Sequence, residues 1–518
     1  MNLKYLYCVC SFLLAGQSLS AQHTNIMISD TNFPNEPAIV INPKNTNQLM
    51  AGSNIDNYYF STDAGFTWNT GTLTSSFGVW GDPVLACDTT GSFYFFHLSN
   101  PPSGNWIDRI VCQRTPFPGA AWNNGSYTGL NGTKAQDKQW VAIDRANNTI
   151  YMTWTEFDQY GSSDPADSSR ILFSKSSDQG QTWSSPLKIN QISGDCVDED
   201  NTTEGAVPAI GPNGEVYVSW AGPAGLVFDK STDGGATWLS QDIFVSSIPG
   251  GWDFGIPGIY RANGLPVTTC DTSGGPNNGT IYINWSDQRN GTSNTDVWLV
   301  KSTDGGNTWS LPSKINDDIS NRHQFFTWMT LDQVTGNLWF VFYDRRNYAD
   351  TRTDVYMAQS TDGGATFQNF KISDSPFTPD PGVFFGDYTN VTAHNDIIRP
   401  MWTRLENNQL SVWTALINTT WLGINNDDYT TQVPMLQQNF PNPFSNQTSF
   451  SFKLHREERI SLTIFDFTGR SVTTLIDNEL YGFGKHVLTY PLGLASGTYF
   501  YELTAGEDLL RRKMMVID

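Results

Sequence analysis

Residues 302–309 read STDGGNTW, and the same eight-residue pattern is written four more times: STDAGFTW at 61–68, SSDQGQTW at 176–183, STDGGATW at 231–238 and STDGGATF at 360–367. An Asp that accepts backbone N–H groups, a Gly that supplies positive φ and an aromatic that wedges beneath the hairpin make a turn staple. A staple that recurs implies a supersecondary unit that recurs. The box aspartates Asp63, Asp178, Asp233, Asp304 and Asp362 are 115, 55, 71 and 58 residues apart, so a unit without a box is expected in the first interval.

A second pattern locates the units: an apolar strand ending in Asp or Asn, a turn, and an aromatic-rich strand. It reads WVAIDRANNTIYMTW (140–154), VPAIGPNGEVYVSW (207–220), PVTTCDTSGGPNNGTIYINW (266–285) and WMTLDQVTGNLWFVF (328–342), with a weaker copy at PAIVINPKNTNQLMAG (37–52) and box-less copies at PVLACDTTGSFYFFH (83–97) and YTNVTAHNDIIRPMW (388–402). Seven units follow, each strand, turn, strand, loop, strand, box, strand, which is the four-stranded antiparallel blade of a β-propeller. The last unit stops after its third strand, LSVWTALI (410–417), while TNIMISD (24–30) is similar to the outer strands at 187–190, 313–316 and 370–373. An N-terminal strand that completes the seventh blade would remove an open sheet edge. The fold expected is therefore all-β, a seven-bladed β-propeller closed by an N-terminal strand and followed by a small C-terminal β-sandwich.

Composition agrees with short strands and tight turns: of 518 residues, 13% are aromatic and only 16% charged, with 45 Gly. The start, MNLKYLYCVCSFLLAGQSLSAQ (1–22), reads as a signal peptide cut near Ala21, and no other apolar stretch is long enough to span a bilayer. The organisation expected is signal 1–21, propeller 22–420, a polar linker 421–435 and a C-terminal module 436–518. Beyond the signal remain Cys87, Cys112, Cys196 and Cys270; Cys87 and Cys270 share one register of different units, so buried free thiols are expected rather than a disulfide framework. The formal net charge is −21, and from Leu436 onward 8 Lys/Arg face 9 Asp/Glu, so the excess acid sits in the repeats. Such a surface repels phosphate backbones and anionic lipid, which disfavours nucleic acid and direct membrane binding.

The box S-x-D-x-G-x-T-W resembles the Asp-box (BNR) repeat of the sialidase-like propeller superfamily, over residues 24 to about 420. The resemblance implies the fold and leaves chemistry open, because that superfamily holds sialidases, other glycosidases, lectin-like proteins and non-enzymatic receptors. Known sialidases of this kind have six blades, whereas seven are read here. In the C-terminal module NFPNPF (439–444), FDFTGR (465–470), LASGTYFY (494–501) and Lys513 with its apolar tail resemble the sorting domain of the type IX secretion system. That resemblance implies recognition by the type IX machinery, passage through the periplasm and across a Gram-negative outer membrane, and release or attachment at the cell surface.

Box turns lie on one face of a propeller, so binding is sought on the opposite face around the channel mouth. Aligned first strands place Glu36, Asp82, Asp137 with Lys138, Glu204, and Asp387 with Tyr388 at that rim. Aligned second strands, at Trp154, Trp285, Phe342 and Trp402, place Glu156, Asp287, Asp344 and Arg404 at one register, with Arg289 and Arg346 two residues on. Paired carboxylates at a sugar-sized opening suit acid and base work on a glycosidic bond. Asp287 and Asp344 are the expected catalytic pair, and Asp82, Glu156, Arg289, Arg346, Asp387, Tyr388 and Arg404 the expected binding residues. The rival reading of the same Asp–Arg sequences is that they tie each loop to its neighbour. The acidic loop GDCVDEDNTTEG (194–205) offers oxygen ligands to Ca²⁺, without EF-hand spacing.

Three functions stay open: binding or processing of extracellular glycans, neutral ones favoured; a non-enzymatic adhesion or protein-interaction scaffold using the acidic loops and rim aromatics Trp80, Trp252, Phe325, Phe384 and Phe385; and an exo-sialidase. A sialidase of the resembled family needs three arginines on the substrate carboxylate, a Tyr–Glu pair and an Asp acid. Its F-R-I-P start is missing, YRANGLP (260–266) echoing it only at Arg261, while Arg289, Arg346 and Arg404, with Tyr343 or Tyr388, are the residues available for those roles.

Overall fold

The computed structural model describes residues 23–418 and, apart from 437, 440, 455–457, 483 and 507, residues 435–517. The expected signal peptide and most of the expected linker lie outside the described residues. The chain divides into two compact units between Thr419 and Thr420.

The first unit contains seven four-stranded antiparallel sheets. We number them as blades I (38–72), II (84–128), III (135–188), IV (204–246), V (267–314), VI (324–371) and VII (390–418 with 24–29). Thr24–Ser29 is the outer strand of blade VII, paired antiparallel with Gln409–Asn418 from Thr24 opposite Leu416 to Ser29 opposite Val412. Each blade's first strand touches the first strands of the blades on either side, and that of blade VII touches that of blade I, so the seven form a closed circle. These strands line a central channel of about 800 Å³, walled by small and β-branched residues such as Ala38, Val84, Val207, Val267 and Val391.

The boxes occupy the hairpins between third and fourth strands of blades I and III–VI. In blade V, Ser302 Oγ accepts the Gly306 N–H at 2.9 Å and donates to Asp304 at 2.8 Å, while Asp304 takes the Thr308 N–H at 3.0 Å and the Thr308 hydroxyl at 2.6 Å. Gly306 has φ of 82°, and a Cβ there would stand 2.3 Å from the Phe228 ring of blade IV, so both conformation and space demand glycine. The box aromatic reaches further than its own hairpin. Trp238 packs edge-on against Phe173 of blade III at 5.0 Å, and Trp309 against Phe228 of blade IV at 5.0 Å. The lysine just before the box serine works in the other direction: Lys175, Lys230 and Lys301 each donate at 2.7 Å to a box carbonyl of the next blade, at Gly234, Gly305 and Gly363. The box is thus an inter-blade joint as well as a turn.

All four described cysteines are free thiols, three of them buried. The second unit is a sandwich of a three-stranded and a four-stranded sheet. Phe450, Phe452, Leu462, Ile464, Leu503 and Met514 fill the space between them. The Tyr501 hydroxyl accepts the Asn439 N–H at 2.7 Å, and Asn439 Nδ2 donates to Thr448 at 2.9 Å, which fixes the NFPNPF stretch to both sheets. No helix among the described residues is long and apolar enough to cross a membrane.

Candidate functional site

The first strand of most blades begins with a kink. Glu36, Asp82, Lys138 and Phe326 have φ of 50°, 49°, 48° and 50°, and Gly205, at the same register, 75°. The sheet ladder slips at the kink between Asp137 and Trp140, Glu204 and Val207, and Phe325 and Trp328. An extra residue in one strand re-aims the side chains beside it, and a non-glycine residue at positive φ carries strain that a functional site often holds. In blades I to IV and VII the re-aimed groups are Glu36, Asp82, Asp137 with Lys138, Glu204 and Asp387.

These groups meet. Lys138 Nζ stands 2.8 Å from Asp387 Oδ2 and 3.4 Å from Asp82 Oδ2. Arg261, from the hairpin between blades IV and V, donates through Nε to Asp387 Oδ1 at 2.8 Å and through Nη2 to its Oδ2, and lies 3.5 Å from Asp198. Asn54 Nδ2 donates to Glu36 Oε2 at 2.5 Å and its Oδ1 accepts the Asp82 N–H at 2.8 Å, joining blades I and II. Glu36 Oε1, Glu204 Oε1 and the Tyr388 hydroxyl are buried and have no hydrogen-bond partner among the described residues.

Two kinds of carboxyl therefore stand side by side. Burial, reinforced by Asp82, pushes the Glu36 carboxyl well above the usual range; burial, with Asp198 and Asp137, does the same to Glu204. Burial and then Asp82 raise Asp137 to about 7. Burial works the same way on Asp387, but Lys138 and Arg261 overcome it and hold that carboxyl below the ordinary range. Lys138 is the mirror case: burial disfavours its charge, and Asp387, Asp82 and Glu36 hold it firmly protonated.

Above this floor opens a cavity of about 540 Å³, reached by Glu36, Asp82, Asp137, Lys138 and Arg261. Its walls are aromatic. Trp80 and Trp106 are 39% and 43% exposed and meet edge to face at 6.1 Å, Trp106 meets Tyr160 at 5.5 Å, and Arg261 lies over Phe384 at 5.1 Å. Below, Trp140 of blade III and Trp328 of blade VI pack at 4.4 Å with Tyr388 edge-on to Trp140 at 5.2 Å, lining the channel beneath the acidic mouth. Of the other rim aromatics expected from sequence, Trp252, Phe325 and Phe385 are buried.

The second-strand register goes elsewhere. Asp287 is fully buried and clamped by Arg289, Nη2 to Oδ2 at 2.5 Å, with the guanidinium 4.5 Å over Trp298 and the Trp285 N–H donating to the same carboxylate at 2.8 Å. Asp344 pairs with Arg346 at 2.8 Å, and that guanidinium lies 4.3 Å over Tyr356 and reaches Asp317 at 2.5 Å. Glu156 pairs with Arg170 at 2.6 Å, and Arg404 with Asp374 at 2.9 Å. None of Glu156, Asp287, Asp344, Arg289, Arg346 and Arg404 lines the mouth cavity. Asp287 and Asp344, expected as the catalytic pair, are the buried members of loop-tying ion pairs. The three arginines sit in three separate pairs and form no common cluster, and the Tyr343 hydroxyl is buried and donates to the Thr403 carbonyl at 2.9 Å.

In the loop 194–205 three of the acids have protein partners. Asp195 accepts the Thr202 hydroxyl at 2.9 Å, Asp198 the Tyr160 hydroxyl at 2.6 Å, and Asp200 the Asp253 N–H at 2.8 Å. Among the described residues no three His, Cys, Asp or Glu side chains stand together as a metal site would need. Arg261, marked in the sequence only as an echo of the F-R-I-P start, belongs to no repeat register because it lies on a hairpin between blades, and Asn54 carries no sequence signal for its place in the cluster.

Residues 438–517 match the family described as the secretion system C-terminal sorting domain. The C-terminal module is a type IX sorting domain, and the protein is exported, to be released or held at the outer face of a Gram-negative outer membrane. A search of curated proteins found no significant match. Among solved structures the chain is similar to the Hadza microbial sialidase Hz136 (14% identity, TM-score 0.41, covering 72% of this chain and 74% of that one). It is also similar to a PL25 ulvan lyase (13%, 0.46, 76% and 96%) and to a Trypanosoma rangeli sialidase (10%, 0.38, 86% and 85%). These likenesses are distant, and the fold rests on the seven sheets themselves.

Proposed function

We propose that this exported propeller binds an extracellular glycan at the central mouth and acts on it there. The observation that carries the reading is a set of buried carboxyls under an aromatic wall, Asp387 held by two cations and Glu36 and Asp137 by none among the described residues. Sugar rings offer C–H faces that stack on exposed Trp80 and Trp106, and hydroxyls that the acidic floor can hold. Acid and base roles on a glycosidic bond need one carboxyl that keeps its proton near neutrality and one that does not. Glu36 and Asp137 supply the first kind and Asp387 the second. Asp387, fixed by Lys138 and Arg261, acts as an ionised anchor, and Asp82, which lines the cavity, is placed to act as the base. Among the described residues Arg261, already paired with Asp387, is the one arginine lining the mouth that a sialic acid carboxylate could meet, which argues against an exo-sialidase.

An adhesion scaffold is favoured by one observation: Lys138 and Arg261 tie blades III, IV and VII together through Asp387, so part of the cluster serves the ring itself. The two readings separate on a panel of neutral and charged oligosaccharides presented to the full exported protein, with reducing-end release measured alongside binding. Binding and cleavage that both vanish in Glu36→Gln support the first. Binding without cleavage supports the scaffold.

A further inference from the structure

The mouth gathers the carboxyl groups of Glu36, Asp82, Asp137, Asp198, Glu204 and Asp387, with Asp56 and Asp253 at its edge, around Lys138 and Arg261. Both cations are committed to Asp387, and Glu36, Asp137 and Glu204 form no ion pair among the described residues. A second observation points outward from this cluster: Glu36, only 1% exposed, lines the cavity with Oε1 unpartnered. An unpaired buried acceptor is costly, and a ligand that brings a donor relieves it. Trp80 and Trp106 stand at the same opening, and indole faces attract cations.

We propose that the mouth selects a glycan unit carrying a free amine, its ammonium held by the carboxylates of Glu36, Asp82 and Asp137 beneath Trp80 and Trp106. The inference rests on the glycan reading above and narrows its substrate class. An ammonium brings three N–H donors and the positive charge that this site lacks; an N-acetylated unit brings one donor and no charge, and a uronate brings the wrong sign.

A linked proton follows. Glu36 is faced by Asp82, Lys138, Asp387, Arg261 and the Tyr388 hydroxyl, and Asp137 by Asp82, Lys138, Asp198, Glu204 and the Tyr160 hydroxyl. Burial favours the protonated forms of Glu36 and Asp137 in the free site, and an arriving ammonium favours their ionised forms, so binding is expected to release protons to the buffer.

The test is calorimetric titration of the full exported protein at pH 6, in two buffers of different ionisation enthalpy, with glucosamine, N-acetylglucosamine, glucose and galacturonate oligomers of equal length. The proposal expects the glucosamine oligomer to bind about tenfold or more tighter than the others, with net proton release, because a charge-assisted hydrogen bond replaces a neutral one. Glu36→Gln removes that preference, and Trp80→Ala, at a half-exposed wall position, weakens it in a ring that stays folded. Equal binding of the neutral and amine oligomers overturns the amine inference and leaves the glycan reading standing. Binding of none overturns both. Amine binding that survives Glu36→Gln and fades with salt is general attraction to an acidic surface, and overturns the inference as well.

Discussion

Lys138 Nζ lies 2.8 Å from Asp387 Oδ2 although 249 residues separate them, so a single buried ion pair joins blade III to blade VII across the mouth of the ring. Both side chains are nearly inaccessible, and Arg261 closes on the same carboxylate from a third direction. The pair leaves Glu36 and Asp137 without a cation of their own, and the chemistry available at the mouth follows from that division.

Replacing Lys138 with Met leaves the buried Asp387 and the half-buried Asp82 with one fewer cation. Breaking a buried pair by removing one partner costs about 3–5 kcal/mol. The expected outcome is a large fall in the denaturant midpoint, and an unchanged midpoint would show that water reaches the cluster freely.

Asp137→Asn probes the raised carboxyl through stability. The native state holds this proton to about pH 7, whereas the unfolded chain releases it near an ordinary aspartate value, so between those limits the native state binds more protons and stability falls as pH rises. Asn, which carries no such proton, removes that decline. Thermal melts of variant and parent should approach each other near pH 4 and separate by pH 8, the variant being the more stable there.

How far the sequence reaches is clearest at two positions. Asp304 announces its hairpin because a turn is local, and five copies of one local solution reveal the repeat; Glu36, Asp82 and Lys138 could be set on one rim because each follows the same strand register. Asp287 shares such a register too, yet its side chain is consumed by Arg289, and register alone does not say whether a carboxylate faces a cavity or a guanidinium. Arg261 lies outside every repeat, and only the folded ring brings its hairpin onto Asp387.

Ser302→Ala removes the hydroxyl that receives the Gly306 N–H, and both groups are buried where the box of blade V meets blade IV. An unsatisfied buried donor costs about 1–3 kcal/mol. Chemical denaturation should register that loss while glycan affinity of the folded protein stays constant, since the box lies on the face away from the mouth.

Deleting 24–29 strips the outer strand from blade VII and exposes the edge of Gln409–Asn418. Melting temperature should fall and self-association rise; a melt like the parent's would mean that ring integrity does not depend on this closure.

The site assignment is tested most directly by comparing Glu36→Gln with Asp344→Asn, both verified as folded, on whichever oligosaccharide the parent protein binds best. The account predicts that Glu36→Gln loses binding or turnover by about tenfold or more, the scale of one charge-assisted contact, and that Asp344→Asn retains both. Full function in Glu36→Gln together with its loss in Asp344→Asn would place the chemistry on the second-strand register and contradict the central mouth as the site.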